Sequence, residues 1–242
     1  MTDKAISLLV HGPTKVGKST LAVTAPYPRL YLDVESASRF LPINRKVWDP
    51  YTEDIPKPDG TWDTVVVYCR DYDTMKQVYR RIDQEEHQFK SLIIDSISEL
   101  QIRLRESIAG RGQMQMQQWG ELLTEFAGLL RDLRDLTMHP TCPLEALVMT
   151  AMTEDKNGFF QPYLQGSVRT QAPYLYDVIG YLFVDQEIVD NEDKPREVRK
   201  LLTRKHQQFE AGERVQSKLD EFVRSPNIEE MLNTIFPEPT NK

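Results

Sequence analysis

The chain has little of what disulfide-stabilised, metal-binding or membrane proteins need. Its 242 residues include 2 cysteines, Cys69 and Cys142, without the close spacing of metal ligands. No apolar run approaches the roughly 20 residues that span a bilayer. A signal peptide is not expected either, because the short apolar stretch near the N-terminus leads directly into a glycine-containing loop. These absences favour a reducing compartment, and we expect a cytoplasmic protein that does not bind membranes.

Basic residues are also outnumbered by acidic ones. The chain carries 30 Lys and Arg against 37 Asp and Glu, a formal net charge of -7. A field of this sign does not attract nucleic acid, so any binding of DNA must depend on local basic loops.

A chain of this length can bury a core as one domain. We expect a single domain over residues 1–236 and a flexible tail over 237–242.

The most specific pattern lies near the N-terminus. Residues 12–19 match G-x-x-x-x-G-K-[ST] at every fixed position. The apolar run Ala5–Val10 before them predicts a buried strand, and a helical pattern follows over Thr20–Thr24. Glycines let backbone amides approach phosphate oxygens closely, and successive amides form an anion-binding nest. The strand, loop and helix together predict a phosphate-binding loop rather than a glycine-rich turn that matches by chance.

This loop predicts ATP and Mg²⁺ as cofactors. We expect the Lys18 ammonium to reach the β and γ phosphates and to act in catalysis, and the Ser19 hydroxyl to bind Mg²⁺. The predicted nucleotide-binding residues are Gly12, Pro13, Thr14, Lys15, Val16, Gly17, Lys18, Ser19 and Thr20.

Two carboxylates follow the next predicted strand, Leu30–Leu32. In open α/β sheets ligands bind outside the carboxyl ends of the strands, which is where Asp33 and Glu35 stand. Glu35 could orient, or accept a proton from, a water that attacks the γ-phosphate. The alternative is that both acids form a turn and cap a helix that starts at Ser36.

A second acidic strand end lies in the stretch 89–100. The apolar run Leu92–Ile94 ends on Asp95, the Walker B pattern, and such an aspartate can hold Mg²⁺ directly or through water. Ser19 and Asp95 are therefore the predicted metal-binding pair. Thr150 lies near the end of a further predicted strand, Leu147–Ala151, where it could sense the γ-phosphate or simply bond to the backbone.

The remaining segments predict an alternation of strands and helices. Residues 42–63 are rich in proline and contain aromatic side chains that could pack on adenine or cover the sheet edge. Residues 177–184 and 198–203 predict a hairpin. The other predicted elements are a strand over 64–69, helices over 73–89, 99–108, 120–136 and 226–235, and polar loops over 110–119 and 153–173.

Three segments carry a resemblance to a known family: Gly-Pro-Thr-Lys-Val-Gly-Lys-Ser at 12–19, Leu-Asp-Val-Glu-Ser at 32–36 and Leu-Ile-Ile-Asp-Ser-Ile at 92–97. The chain resembles the RecA-like branch of P-loop ATPases, and within it the phage-encoded RecA-like nucleotide-binding proteins, some of which act in recombination or single-strand annealing. The resemblance implies an α/β fold with a RecA-like P-loop NTPase core. Its mostly parallel central sheet would be flanked by helices and extended by a C-terminal β-hairpin. It also implies that Glu35 orients the nucleophile.

The resemblance further implies partners. RecA-type proteins place a basic residue on the neighbouring subunit's γ-phosphate, and Arg214 is the candidate here, with Lys205 second. Gly212 replaces the lysine that this segment often carries. Self-association into a ring or filament is therefore expected. The loops 109–118 and 154–172 occupy the places of DNA-binding loops. They offer Arg111, Lys156 and Arg169 for phosphate contacts, unless they are ordinary solvated loops.

The leading hypothesis is a Mg²⁺-dependent ATPase that acts on single-stranded DNA in phage recombination or annealing, with hydrolysis stimulated by DNA. The alternative is a replisome or helicase accessory protein in which nucleotide controls assembly and intrinsic DNA binding is weak. A small-molecule kinase is a third possibility, but the sequence has no lid segment with a basic cluster suited to a second phosphate acceptor.

Overall fold

The computed structural model of the protein describes residues 4–187 and 195–238. Its strands are β1 Ile6–His11, β2 Arg29–Asp33, β3 Arg45–Val47, β4 Thr64–Tyr68, β5 Ser91–Asp95, β6 Ala146–Ala151, β7 Thr153–Lys156, β8 Phe159–Pro162, β9 Val178–Glu187, β10 Arg196–Leu202, β11 Gly212–Glu213 and β12 Phe222–Arg224. Its α-helices are α1 Lys18–Ala22, α2 Tyr72–Gln84, α3 Ile97–Ala109, α4 Met116–Asp135, α5 Val168–Gln171 and α6 Ile228–Ile235. Short 3₁₀ helices cover Ser38–Phe40, Leu136–Met138 and Ala172–Leu175.

One large sheet organises these elements. Its order is β12-β10-β9-β1-β6-β5-β2-β4-β3, with β11 paired to β9. The strands from β9 to β3 run parallel to one another, whereas β10, β11 and β12 pair antiparallel. The architecture predicted for the fold class is confirmed: an α/β core with a mostly parallel sheet flanked by helices, extended by the antiparallel pair β9–β10. The turn of that hairpin, 188–194, lies outside the described residues, as does the predicted tail from 239 onward.

The register brings the functional strand ends to one edge. Asp33 pairs with Asp95, and Val10 and His11 pair with Thr150 and Ala151. Because parallel strands share a direction, the phosphate-binding loop after β1 and the acidic ends of β2 and β5 open on the same edge of the sheet.

Side chains alternate along each strand, so the buried strands have an apolar face on each side of the sheet. Helices cover both faces. Leu9 points to one face, where apolar side chains of α2, α3 and α4 form a core with it. Leu8 and Val10 point to the other face and pack with apolar residues of α1 and α6. Asp71 caps α2, because its side chain accepts a hydrogen bond from the Thr74 amide.

Several element boundaries differ from the predictions. The proline-rich segment 42–63 contains the short edge strand β3, and its Trp48 and Trp62 are buried. Their burial supports the interpretation that these rings cover the sheet. Helix α4 starts at Met116 rather than Gly120. The predicted polar loop after β6 is wrong in part, since β7 and β8 form a two-stranded hairpin there.

Both cysteines are free thiols, and Cys69 is buried, which fits structural roles. Within 4–187 and 195–238, no helix combines the length and apolar character needed to cross a membrane.

Candidate functional site

The loop between β1 and α1 has a backbone that only glycine allows at its two ends. A Cβ atom on Gly12 would collide with the carbonyl oxygen of Leu182. Gly17 has a φ of 104°, and a Cβ there would lie 2.7 Å from Arg199 Nε. The motif's glycines are therefore required by close packing and by a left-handed conformation.

Lys18 lies across this loop. Its Nζ donates to the carbonyl oxygens of Gly12 and Pro13, both at 2.9 Å. Burial lowers the pKa of Lys18, and the negative charges of Glu35 and Asp95 oppose that change. The ammonium group is thus held at the loop near the predicted catalytic Glu35 and the predicted metal ligand Asp95, where it can meet the phosphates of a nucleotide.

Asp95 is buried and held by two hydroxyl groups. Tyr31 Oη donates to one of its carboxylate oxygens and Thr150 Oγ1 to the other. The interpretation that the Thr150 hydroxyl bonds to the backbone is wrong, since it bonds to Asp95, and its role in sensing the γ-phosphate stays a prediction. Burial raises the pKa of Tyr31, while a nearby Ser19 side chain acts in the opposite direction. Ser19 and Asp95 are therefore both neighbours of one tyrosine hydroxyl.

The two acids after β2 have different surroundings. Asp33 is buried and accepts hydrogen bonds from the Ala37 amide at 2.9 Å and from the Ser38 amide at 3.1 Å. It therefore shapes the turn, as the alternative interpretation predicted. Glu35 instead accepts a hydrogen bond from Ser96 Oγ and lines the cavity beside the loop.

The surroundings of Glu35 change the pKa of its carboxyl group. Burial raises its pKa, the Ser96 hydrogen bond lowers it, and the charge of Asp95 raises it. A carboxylate with a raised pKa is a stronger proton acceptor, which suits a general base.

A cavity of about 620 Å³ brings the predicted groups together. Lys18, Ser19, Glu35 and Asp95 all line it, along with most of the phosphate-binding loop. Among the described residues no three His, Cys, Asp or Glu side chains form a metal cluster. The hydroxyl and carboxylate present nevertheless fit Mg²⁺, because this ion keeps most of its ligands as water and substrate phosphate.

The predicted DNA-contacting residues are not equally available. Arg111, in the turn between α3 and α4, and Lys156, at the end of β7, are exposed. Arg169 forms an ion pair with Glu154, with 3.2 Å between Nη1 and Oε1. The segment after β8 is hydrogen-bonded to α3, since Ser98 Oγ donates to the Tyr163 carbonyl at 2.8 Å. Both predicted loops are thus attached to α3.

Arg214 lies at the opposite edge of the sheet from the cavity. Its amide donates to the Asp177 carbonyl at 2.9 Å, and its side chain donates to the Tyr174 carbonyl at 2.7 Å. Asp177 precedes β9 at the level where β1 begins. Arg214 therefore cannot reach the phosphates bound by its own chain, and a role across a subunit interface stays a prediction. Lys205 is exposed.

Sequence reasoning missed three residues that shape the site. Tyr31 sits inside an apolar strand, and Arg199 Nε donates to the Val16 carbonyl at 2.9 Å from strand β10. His11 ends β1 directly before Gly12 and is fully buried. A polar group in an otherwise apolar strand was the available signal for Tyr31 and His11, but no local signal marks Arg199.

A glycine-bounded phosphate loop after β1, an acidic end on β5 and a second carboxylate after β2 define a P-loop ATPase domain. A family profile described as an AAA domain (AAA_24) matches residues 4–215, and the chain belongs to that family. A search of curated protein sequences found no match. Among solved structures, the chain is similar to the flagellar accessory protein FlaH from Methanocaldococcus jannaschii, with 12% identity and a TM-score of 0.44. That match covers 90% of this chain and 84% of FlaH.

Proposed function

We propose that this protein is a Mg²⁺-dependent ATP hydrolase. The observation that carries the proposal is that Lys18, Ser19, Glu35 and Asp95 line a single cavity at the carboxyl edge of the sheet. Binding alone would need only the loop and its lysine. The carboxylate of Glu35, which lines the cavity and has a raised pKa, is the additional group that hydrolysis requires.

Each side chain has a distinct role in this proposal. Loop amides and the Lys18 ammonium bind the β and γ phosphates and stabilise the charge that develops on them. Glu35 accepts a proton from the attacking water, whose oxygen bonds to the γ-phosphorus while the bond to the β–γ bridging oxygen breaks. Mg²⁺, held through Ser19 and Asp95, would supply charge neutralisation on the phosphate oxygens.

Release of phosphate from ATP, measured with Mg²⁺ and with EDTA, tests this function. We expect turnover only with Mg²⁺ and its loss in the Glu35→Gln variant. Equal phosphate release by the parent and Glu35→Gln would remove Glu35 from the mechanism.

The action on single-stranded DNA is a second part of the proposal. Exposed Arg111 and Lys156 on segments attached to α3 support it, although the net charge of -7 does not. So few phosphate contacts per chain would bind weakly, so the proposal includes self-association that repeats them. Arg214, which lies too far from its own site, would then act on the neighbouring chain.

Light scattering with and without ATP and single-stranded DNA tests this second part, together with ATP turnover under the same conditions. We expect DNA to stimulate turnover and to promote assembly, as a role in recombination or annealing requires. Assembly with ATP alone, without DNA binding at low salt, would instead favour the accessory-protein alternative.

A further inference from the structure

A groove on the α1 side of the sheet extends from the phosphate loop. We propose that this groove binds the base and ribose of the nucleotide, an inference that rests on the proposed ATPase function. It encloses about 470 Å³ between α1 and the strands β9, β10 and β12. Its lining includes Gly17, Thr20, Leu182, Val184, Glu197 and Arg199.

The order of the strands decides the direction in which the nucleotide must lie. Strand β1 lies between β9 and β6, and Asp95 and Glu35 follow strands on the β6 side. The γ-phosphate has to face those acids because they act on it and its metal. The nucleoside therefore extends to the other side of the loop, over β9 and β10, which is where the groove lies.

The groove adjoins the phosphate cavity. Gly17 and Thr20 line both of them. Thr20 follows Ser19 in the first turn of α1, so the groove begins at the end of the loop that the γ-phosphate does not occupy. The groove therefore lies within reach of a nucleotide whose phosphates occupy the loop.

The chemistry of the groove suits a heteroaromatic base. Val184, which is 43% exposed, supplies apolar surface, and the buried Leu182 lies next to it in the lining. Arg199 is fixed beside them, since its Nε donates to the Val16 carbonyl at 2.9 Å, and a planar guanidinium stacks favourably on aromatic rings. Exposed Glu197, which is two residues before Arg199 and so shares its side of β10, is an acceptor for an exocyclic amine such as that of adenine.

Calorimetric titration with ATP and with inorganic tripolyphosphate separates this groove from the phosphate loop. Val184→Trp fills the groove, whereas Asp185→Trp places the same side chain on the opposite face of β9. We expect Val184→Trp to weaken ATP binding by about tenfold or more, a loss of roughly 1.4 kcal/mol. Its affinity for tripolyphosphate should match the parent's, and Asp185→Trp should bind both ligands as the parent does.

Unchanged ATP affinity in Val184→Trp, with the parent binding ATP, would overturn the groove assignment and leave the ATPase proposal standing. A parent that binds neither ligand would overturn both. If Val184→Trp does not fold, a second variant, Glu197→Ala, tests the groove, since Glu197 is exposed. Its affinities for ATP and for inosine triphosphate, which lacks the amine, are then compared. The parent's preference for ATP should fall in that variant, and an unchanged preference would contradict the role of Glu197 in the groove.

Discussion

His11 Nδ1 lies 3.0 Å from Thr153 Oγ1, joining the end of β1 to the start of the hairpin β7–β8. The other ring nitrogen, Nε2, lies 2.6 Å from the Glu210 carbonyl oxygen, which can only accept a hydrogen bond. Nε2 therefore carries the proton and Nδ1 accepts from Thr153. Burial lowers the pKa of His11 to about 4, so the ring is neutral at pH 7.

Acid should destabilise the protein through this histidine. An unfolded histidine titrates near 6.5, so between pH 6.5 and 4 the unfolded state binds a proton that the folded state does not. The contribution is fully present above pH 6.5 and is lost as the pH falls, by about 2 kcal/mol between pH 7 and 5.

Chemical denaturation of the parent and of His11→Gln at pH 7 and pH 5 measures this contribution. The variant should lose less stability on acidification than the parent. His87 serves as the comparison because burial also lowers its pKa to about 4, and His87→Gln should remove a separate part of the pH dependence. A parent and His11→Gln with the same dependence would contradict the assigned protonation state.

Glu35→Gln should separate nucleotide binding from turnover. The amide keeps the size of the side chain but cannot accept the water's proton. Loss of a general base lowers the rate by about 10²–10⁴-fold, while ATP affinity should change little. Glu106→Gln is the matched control, since Glu106 is an exposed residue of α3 that faces Arg103 at 3.8 Å. Normal turnover in Glu35→Gln would be inconsistent with the proposed chemistry.

Ser96→Ala should move the acid limb of the pH–rate profile to higher pH. Ser96 donates to Glu35 and so stabilises its charged form; without that hydrogen bond the pKa of Glu35, already raised by burial, rises further. Hydrolysis needs the charged form, so the variant should be slower at low pH and match the parent at high pH.

Ser96 also caps α3, where the Glu99 amide donates to its hydroxyl at 3.3 Å, and loss of a cap costs about 1 kcal/mol of stability. Asp71→Ala removes the cap of α2 without touching the cavity and controls for that loss. The prediction fails if Ser96→Ala and Asp71→Ala have the same pH–rate profile.

DNA binding should depend more on Lys156 than on Arg169. Lys156 is exposed, whereas Arg169 is already paired with Glu154. Lys156→Gln should weaken binding to single strands of any sequence and lower the slope of log affinity against log salt by about 0.7. Arg169→Gln should change the slope less. Equal effects of the two substitutions would mean that the Glu154 pair does not restrict Arg169.

The sequence predicted the parts of the site that short motifs specify. Lys18 and Ser19 follow from one loop, and Asp95 from one apolar strand, because each pattern is local. The partners of these groups could not be predicted, since the sheet brings together residues far apart in the chain. Arg199 and Val16 are 183 positions apart, and the Thr150 and Asp95 contact spans 55.

The hairpin β7–β8 was missed for a similar reason. Its first strand, Thr-Glu-Asp-Lys, has little strand propensity. It is stabilised by distant backbone, including the Phe160 amide, which donates to the Gln208 carbonyl at 2.7 Å. Tertiary pairing outweighed local preference there, whereas the buried strands of the parallel sheet were readable as apolar runs.

We propose above all that the cavity beside Lys18 binds ATP with Mg²⁺. Calorimetric titration of ATP into the parent and Lys18→Ala, both with Mg²⁺, tests it most directly. We predict binding of one nucleotide per chain by the parent and a loss of affinity of at least about tenfold in the variant. Equal affinity in the two proteins, or no binding by the parent, would contradict it.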